Sequence, residues 1–93
     1  MLKRPRRGAR LREEVWQTRN GVITKYNLAH INHGVCRVDN GRVFGYDNSH
    51  GHHHRHFMGR MEAIEFLDYE TQARRFRVEV QELWRREDEE SRK

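Results

Sequence analysis

The chain has 93 residues, 34% hydrophobic and 35% charged, which fits one domain with one modest core and leaves room for a partner or a second copy. No stretch approaches the roughly 18 apolar residues of a membrane span, and the basic N-terminal residues have no apolar segment behind them, so neither membrane anchoring nor a secretory signal is expected. The single cysteine, Cys36, excludes an internal disulfide and a multi-cysteine zinc ribbon, and it fits a reducing cytoplasm.

The formal net charge of +5 is unevenly placed. Lys3, Arg4, Arg6, Arg7, Arg10 and Arg12 fall in residues 1–12 with no acid among them, while residues 13–93 are nearly neutral. Residues 1–14 also hold the only proline, and they read as a flexible basic arm. Such an arm suits a nucleic-acid backbone, which it grips through charge without reading sequence. It serves equally well as a solubilising tail.

Residues 15–87 read as a single α+β domain, followed by a polar tail at 88–93. Asn20-Gly21 tolerates the positive φ of a tight hairpin turn. The segment after it, 22–28, alternates like a strand with one face partly apolar. Asn32-His33-Gly34 is a second turn, 35–38 a short strand, Asp39-Asn40-Gly41 a further hairpin signal, and 42–46 a strand. Together these predict an antiparallel meander of about four strands. In the C-terminal third, Phe66, Tyr69, Ala73, Phe76, Val80, Leu83 and Trp84 recur at spacings of three and four, the stripe of an amphipathic helix. Asp68 is placed to cap it, with Glu70 in the first turn. Residues 75–80 alternate like a strand, but the longer pattern favours helix. The expected fold is therefore α+β, a meander packed against one C-terminal helix.

The segment "GYDNSHGHHHRHFMG", residues 45–59, holds five of the seven histidines. If the chain is extended after Gly51, His52, His54 and His56 share one face, and His53, Arg55 and Phe57 take the other. Neighbours on one face then lie about 6.5–7 Å apart. One chemistry is metal binding: His50, His52, His54 and His56, with Asp47, could hold zinc or another divalent ion. A second needs no cofactor. Two imidazoles straddling a phosphate can cleave RNA, one taking the 2′-hydroxyl proton and the other protonating the leaving oxygen, with a cation beside the phosphorane. Imidazole suits both roles because its ordinary pKa is about 6.5. Arg55 points away from the pair on a regular strand, which makes Lys25 and Arg42 the rival cations. The third reading is a solvated loop without chemistry, since Asp47, Asn48 and Ser49 are good turn residues.

The ordered set Lys25, Tyr26, Leu28, then Tyr46, Asp47, Asn48, Gly51, then His54, His56 and Gly59 resembles the TumE family of toxin–antitoxin toxins over roughly residues 15–85. The link between Gly51 and His54 is shorter than in many members, only His52-His53. The basic arm is not part of the family's pattern. The resemblance implies a prokaryotic cytoplasmic protein, encoded beside an antitoxin, that inhibits growth through RNA. In the reading that joins it to the chemistry, His54 and His56 are the acid–base pair and Asp47 orients one imidazole. Asn48 holds the turn or meets substrate, Lys25 or Arg55 meets phosphate, and Tyr46 is a core residue or a stacking platform. The competing reading is a non-enzymatic nucleic-acid-binding or regulatory protein, with a basic arm and a metal-binding histidine loop.

Overall fold

A computed structural model describes residues 8–91; Lys3, Arg4, Arg6 and Arg7 of the basic arm, and the side chain of His50, lie outside the described residues. Five antiparallel strands follow one another across a single sheet in chain order: β1 (Arg10–Gln17), β2 (Ile23–Ile31), β3 (Arg42–Asp47), β4 (His54–Phe57) and β5 (Arg60–Ala63). Helix α1 (Tyr69–Ser91) packs on one face of the sheet. The α+β meander with a C-terminal helix is thus present, with five strands in place of about four. Among the described residues no helix is long and apolar enough to cross a membrane.

Alternation along the strands sorts the side chains between the two faces. Tyr26, Leu28 and His30 of β2, with Phe44 and Tyr46 of β3, pack against Ala73, Phe76, Val80 and Trp84 of α1. His30 is buried with them. It accepts a hydrogen bond from the Trp84 indole N–H at 2.9 Å and stacks on Phe44 at a centroid distance of 5.3 Å. Burial holds its pKa below the usual imidazole value, so the ring sits in the core as a neutral acceptor. Cys36 is a small buried member of the same cluster. Asp68 caps α1 by accepting the Thr71 N–H at 2.7 Å. Arg77 ties the helix to Glu13 of β1 at 2.6 Å.

Three stretches differ from expectation. β1 begins at Arg10, so residues 10–14 of the expected arm are strand, paired with β2. At the other end, α1 continues through residues 88–91 of the expected tail, where Glu82, Arg85, Arg86 and Glu89 pair at spacings of three and four. Residues 35–38 are not a strand. The N–H groups of Val35 and Cys36 both donate to the Asn32 carbonyl at 3.0 and 2.9 Å, which spends them on a local turn instead of a ladder. The additional strand, β5, follows a two-residue turn in which Met58 and Gly59 both have positive φ, 48° and 85°. Met-Gly carries none of the Asn or Asp signature of such turns, so it was not legible as one.

A bulge in β3 decides which residues face the open side of the sheet. Pairing runs from His30↔Phe44 directly to Ile31↔Arg42, leaving Val43 as an extra residue. Val43 and Phe44 both enter the core. Arg42, which strict alternation sends to the helix side with Phe44 and Tyr46, lies on the open face instead. Gly45 then permits its path. A Cβ at Gly45 would stand 2.2 Å from the Leu28 carbonyl oxygen and 3.1 Å from Arg42 Cδ. We expect Gly45→Ala to force β2 and β3 apart and to destabilise the fold by about 2–3 kcal/mol, read from the urea midpoint; a variant with unchanged midpoint would contradict this packing.

Candidate active site

β4 pairs with β3 so that His54 faces Asp47 and His56 faces Gly45. Asp47, Gly45 and the bulge-shifted Arg42 all belong to the open face, and so do His54 and His56. Their rings stand 6.5 Å apart, and the ring of His52 stands 6.2 Å from that of His54. The three rings are therefore spaced along one face of the extended segment, as alternation of side chains requires.

The guanidinium of Arg42 is the hub. It donates to both oxygens of Asp39 at 2.8 and 3.0 Å, to Asp47 Oδ2 at 3.0 Å and to His56 Nδ1 at 3.0 Å. Asp39 reaches it from a tight turn in which Asp39, Asn40 and Gly41 all have left-handed φ of 51°, 54° and 80°. Asp and Asn tolerate that region better than most residues, and glycine adopts it freely. His56 Nε2 lies 2.9 Å from Asp47 Oδ2 but outside hydrogen-bond geometry, so this is a close polar contact that becomes an ion pair only when the ring takes a proton. An N–H donor at Nδ1 leaves the proton of the neutral ring on Nε2, beside Asp47. Burial first, and the Arg42 charge second, hold the pKa of His56 below the usual imidazole value against the opposing pull of Asp47 and Asp39. His56 is a neutral ring held on both sides, with its side chain only 12% exposed. The side chain of His54 is half-buried and makes no hydrogen bond among the described residues.

The remaining candidates divide between the faces. Lys25 is exposed on the open face of β2, with its ammonium 4.8 Å from the centroid of the Trp16 ring. Arg10 and Arg12 of β1 belong to the same face. Arg55 and Tyr46 belong to the other. Arg55 pairs with Glu79 of α1 at 2.7 Å, and the Tyr46 hydroxyl donates to the same carboxylate. Burial, then that hydrogen bond, pushes the Tyr46 hydroxyl up to about 12, so it keeps its proton. His53 also faces the helix side. It stacks on Phe66 at 3.9 Å and bonds the Tyr26 hydroxyl through Nδ1 at 2.8 Å. Asn48 holds the turn: its Oδ1 accepts the Tyr26 N–H and its Nδ2 donates to the Thr24 carbonyl, each at 3.0 Å, extending the β2–β3 ladder by one side chain.

Among the described residues no three His, Cys, Asp or Glu side chains are arranged to hold a metal ion. Asp39 was missed in the sequence because Asp39-Asn40-Gly41 reads as turn chemistry alone. Arg42 was one of two rival cations, and only the bulge decides its face.

A family model described as Toxin TumE matches residues 7–85. The chain therefore belongs to the TumE toxin family. No curated protein and no solved structure matches it.

Since Arg42 depresses the His56 pKa while both carboxylates raise it, we expect Arg42→Gln to move the His56 titration to higher pH, followed by imidazole NMR chemical shifts. An unchanged or lower pKa would contradict the assignment of Arg42 as its partner.

Proposed function

We propose that this chain is the toxin of a prokaryotic toxin–antitoxin system and acts in the cytoplasm as a metal-independent endoribonuclease, neutralised by a cognate antitoxin. One observation carries the reading: two imidazoles 6.5 Å apart on an open sheet face, one of them held neutral against an arginine and a carboxylate. Membership of a toxin family supports the biological half of it.

In the proposed reaction an RNA phosphate enters beside Arg42 and competes with His56 Nδ1 for the guanidinium. Arg42 turns its N–H donors to the phosphate oxygens, where negative charge develops. The lone pair of His56 Nδ1 is thereby released, and it takes the proton of the neighbouring 2′-hydroxyl. The 2′-oxygen forms its bond to phosphorus as the bond from phosphorus to the 5′-oxygen breaks. His54 delivers a proton to that departing oxygen. Asp47, against His56 Nε2, stabilises the imidazolium that forms, as a carboxylate does behind the histidine of a catalytic triad. Lys25 and Arg12 attract the flanking backbone. Asn48 acts through the turn it holds, and Tyr46 and Arg55 act through the helix-side packing that supports β3 and β4.

The test is expression in cells together with cleavage by purified protein. His54→Ala and His56→Ala are each expected to relieve growth inhibition and to slow RNA cleavage about 10²–10⁴-fold, the usual worth of a general acid or base. Cleavage by the wild type is expected to survive EDTA. A double variant as toxic as wild type would remove the assignment, and cleavage lost in EDTA and restored by zinc would replace it with a metal site built on the same histidines.

A further inference from the structure

The open face carries an aromatic side chain that the reaction above does not use. Trp16, near the end of the edge strand β1, is 43% exposed. It pairs with Lys25 across β1 and β2, and the strand register becomes irregular immediately after it. The other indole, Trp84, is 4% exposed and bonded to His30, so the two tryptophans do different work. Trp16 does not cover the core: Leu11, the β1 residue packed there, comes from the other face.

What Trp16 does line is a groove of about 270 Å³ that runs across the open face to the Arg42 hub, past Arg12, Lys25 and Asn27 to Asp47 and Arg42. His54 is paired directly with Asp47 on the next strand, and His56 touches Arg42, so the groove ends at the two residues that adjoin the histidine pair. Three strand spacings of about 4.8 Å separate the strand of Trp16 from that of His54, roughly 14 Å across the sheet. That is a span of a few nucleotides in an extended single strand.

We propose that Trp16 is a base-stacking platform for single-stranded RNA, holding a nucleobase a few positions from the phosphate at His54 and His56, with Lys25 and Arg12 on the intervening backbone. The inference rests on the nuclease reading for which strand occupies the groove. Charge and shape favour this occupant. Two cations on the face, Lys25 and Arg12, are held loosely: Lys25 lies over the indole, and among the described residues Arg12 makes only an exposed pair with Glu14 at 3.7 Å, so both can turn to phosphate when a strand arrives. An exposed indole beside cations offers any base a π-face, which gives binding without strict sequence preference. A duplex keeps its bases stacked on one another and cannot use such a platform.

The experiment uses the full chain and a short 2′-O-methyl single-stranded oligonucleotide, which binds but has no 2′-hydroxyl to attack. Saturation is expected to quench the fluorescence of the exposed tryptophan, and a duplex of the same sequence is expected to leave it unchanged. By anisotropy, Trp16→Ala is expected to bind the strand about tenfold more weakly, Trp16→Phe within about twofold of wild type, and an abasic strand of equal charge is expected to bind wild type and Trp16→Ala alike. If Trp16→Ala binds the base-bearing strand as wild type does, or loses only its neutralisation by antitoxin, the platform is overturned. Cleavage of RNA with no dependence on Trp16 would likewise sink this inference and leave the nuclease reading intact. Trp16-dependent binding of RNA that is never cut would sustain the platform and remove the nuclease.

Discussion

The candidate site depends on the placement of one guanidinium. Arg42 joins a turn (Asp39), a strand end (Asp47) and a neighbouring strand (His56) through four short contacts. Three local features make that possible, and each has its own cause. The left-handed turn at Asp39-Asn40-Gly41 aims a carboxylate back along the chain. The extra residue Val43 turns Arg42 to the open face. The bare backbone of Gly45 leaves a lane for the side chain. Burial first, and then the arginine that donates to one ring nitrogen, disfavour a positive charge on His56 in this arrangement.

The meander also divides the histidine-rich segment in two. Alternation sends His54 and His56 to the open face and His53, Arg55 and Phe57 to the side of the helix. The helix-side group is a support. Arg55 and Tyr46 converge on Glu79 and lock β3 and β4 to α1, while His53 closes a small aromatic stack with Tyr26 and Phe66. Among the described residues no helix covers the open-face group, although His56 itself is largely enclosed by Arg42 and Asp47. A small domain with one helix can bury only one face of its sheet, and here the uncovered face is the one that carries the paired histidines.

Much of this was legible in the sequence, for identifiable reasons. The three–four stripe from Tyr69 to Trp84 overrode the strand-like alternation of 75–80 because a long periodic signal integrates more side chains than a short one. The period-two rule alone put His54 and His56 together and Arg55 apart. It could not choose between Lys25 and Arg42, since counting by twos assumes an unbroken strand and Val43 breaks it. Asp39 was hidden for a related reason: its residue type already had an explanation as turn chemistry. Residues 35–38 misled because β-branched residues are only a weak prior when the neighbouring N–H groups find a closer acceptor in Asn32. Trp16 and Arg12 went unremarked as a pair because their shared face with Lys25 depends on the start of β1 at Arg10, inside a stretch that composition marks as an arm.

In the proposed reaction His54 and His56 work across one phosphate without a metal, through the 2′-oxygen of RNA. The most direct measurement is the chemistry of the cut ends after digestion of a defined RNA in EDTA. The expected products are a 2′,3′-cyclic phosphate on one fragment and a 5′-hydroxyl on the other, with no cutting where the 2′-hydroxyl at the scissile position is replaced by hydrogen. A 3′-hydroxyl with a 5′-phosphate, or undiminished cutting at the deoxy position, would contradict it.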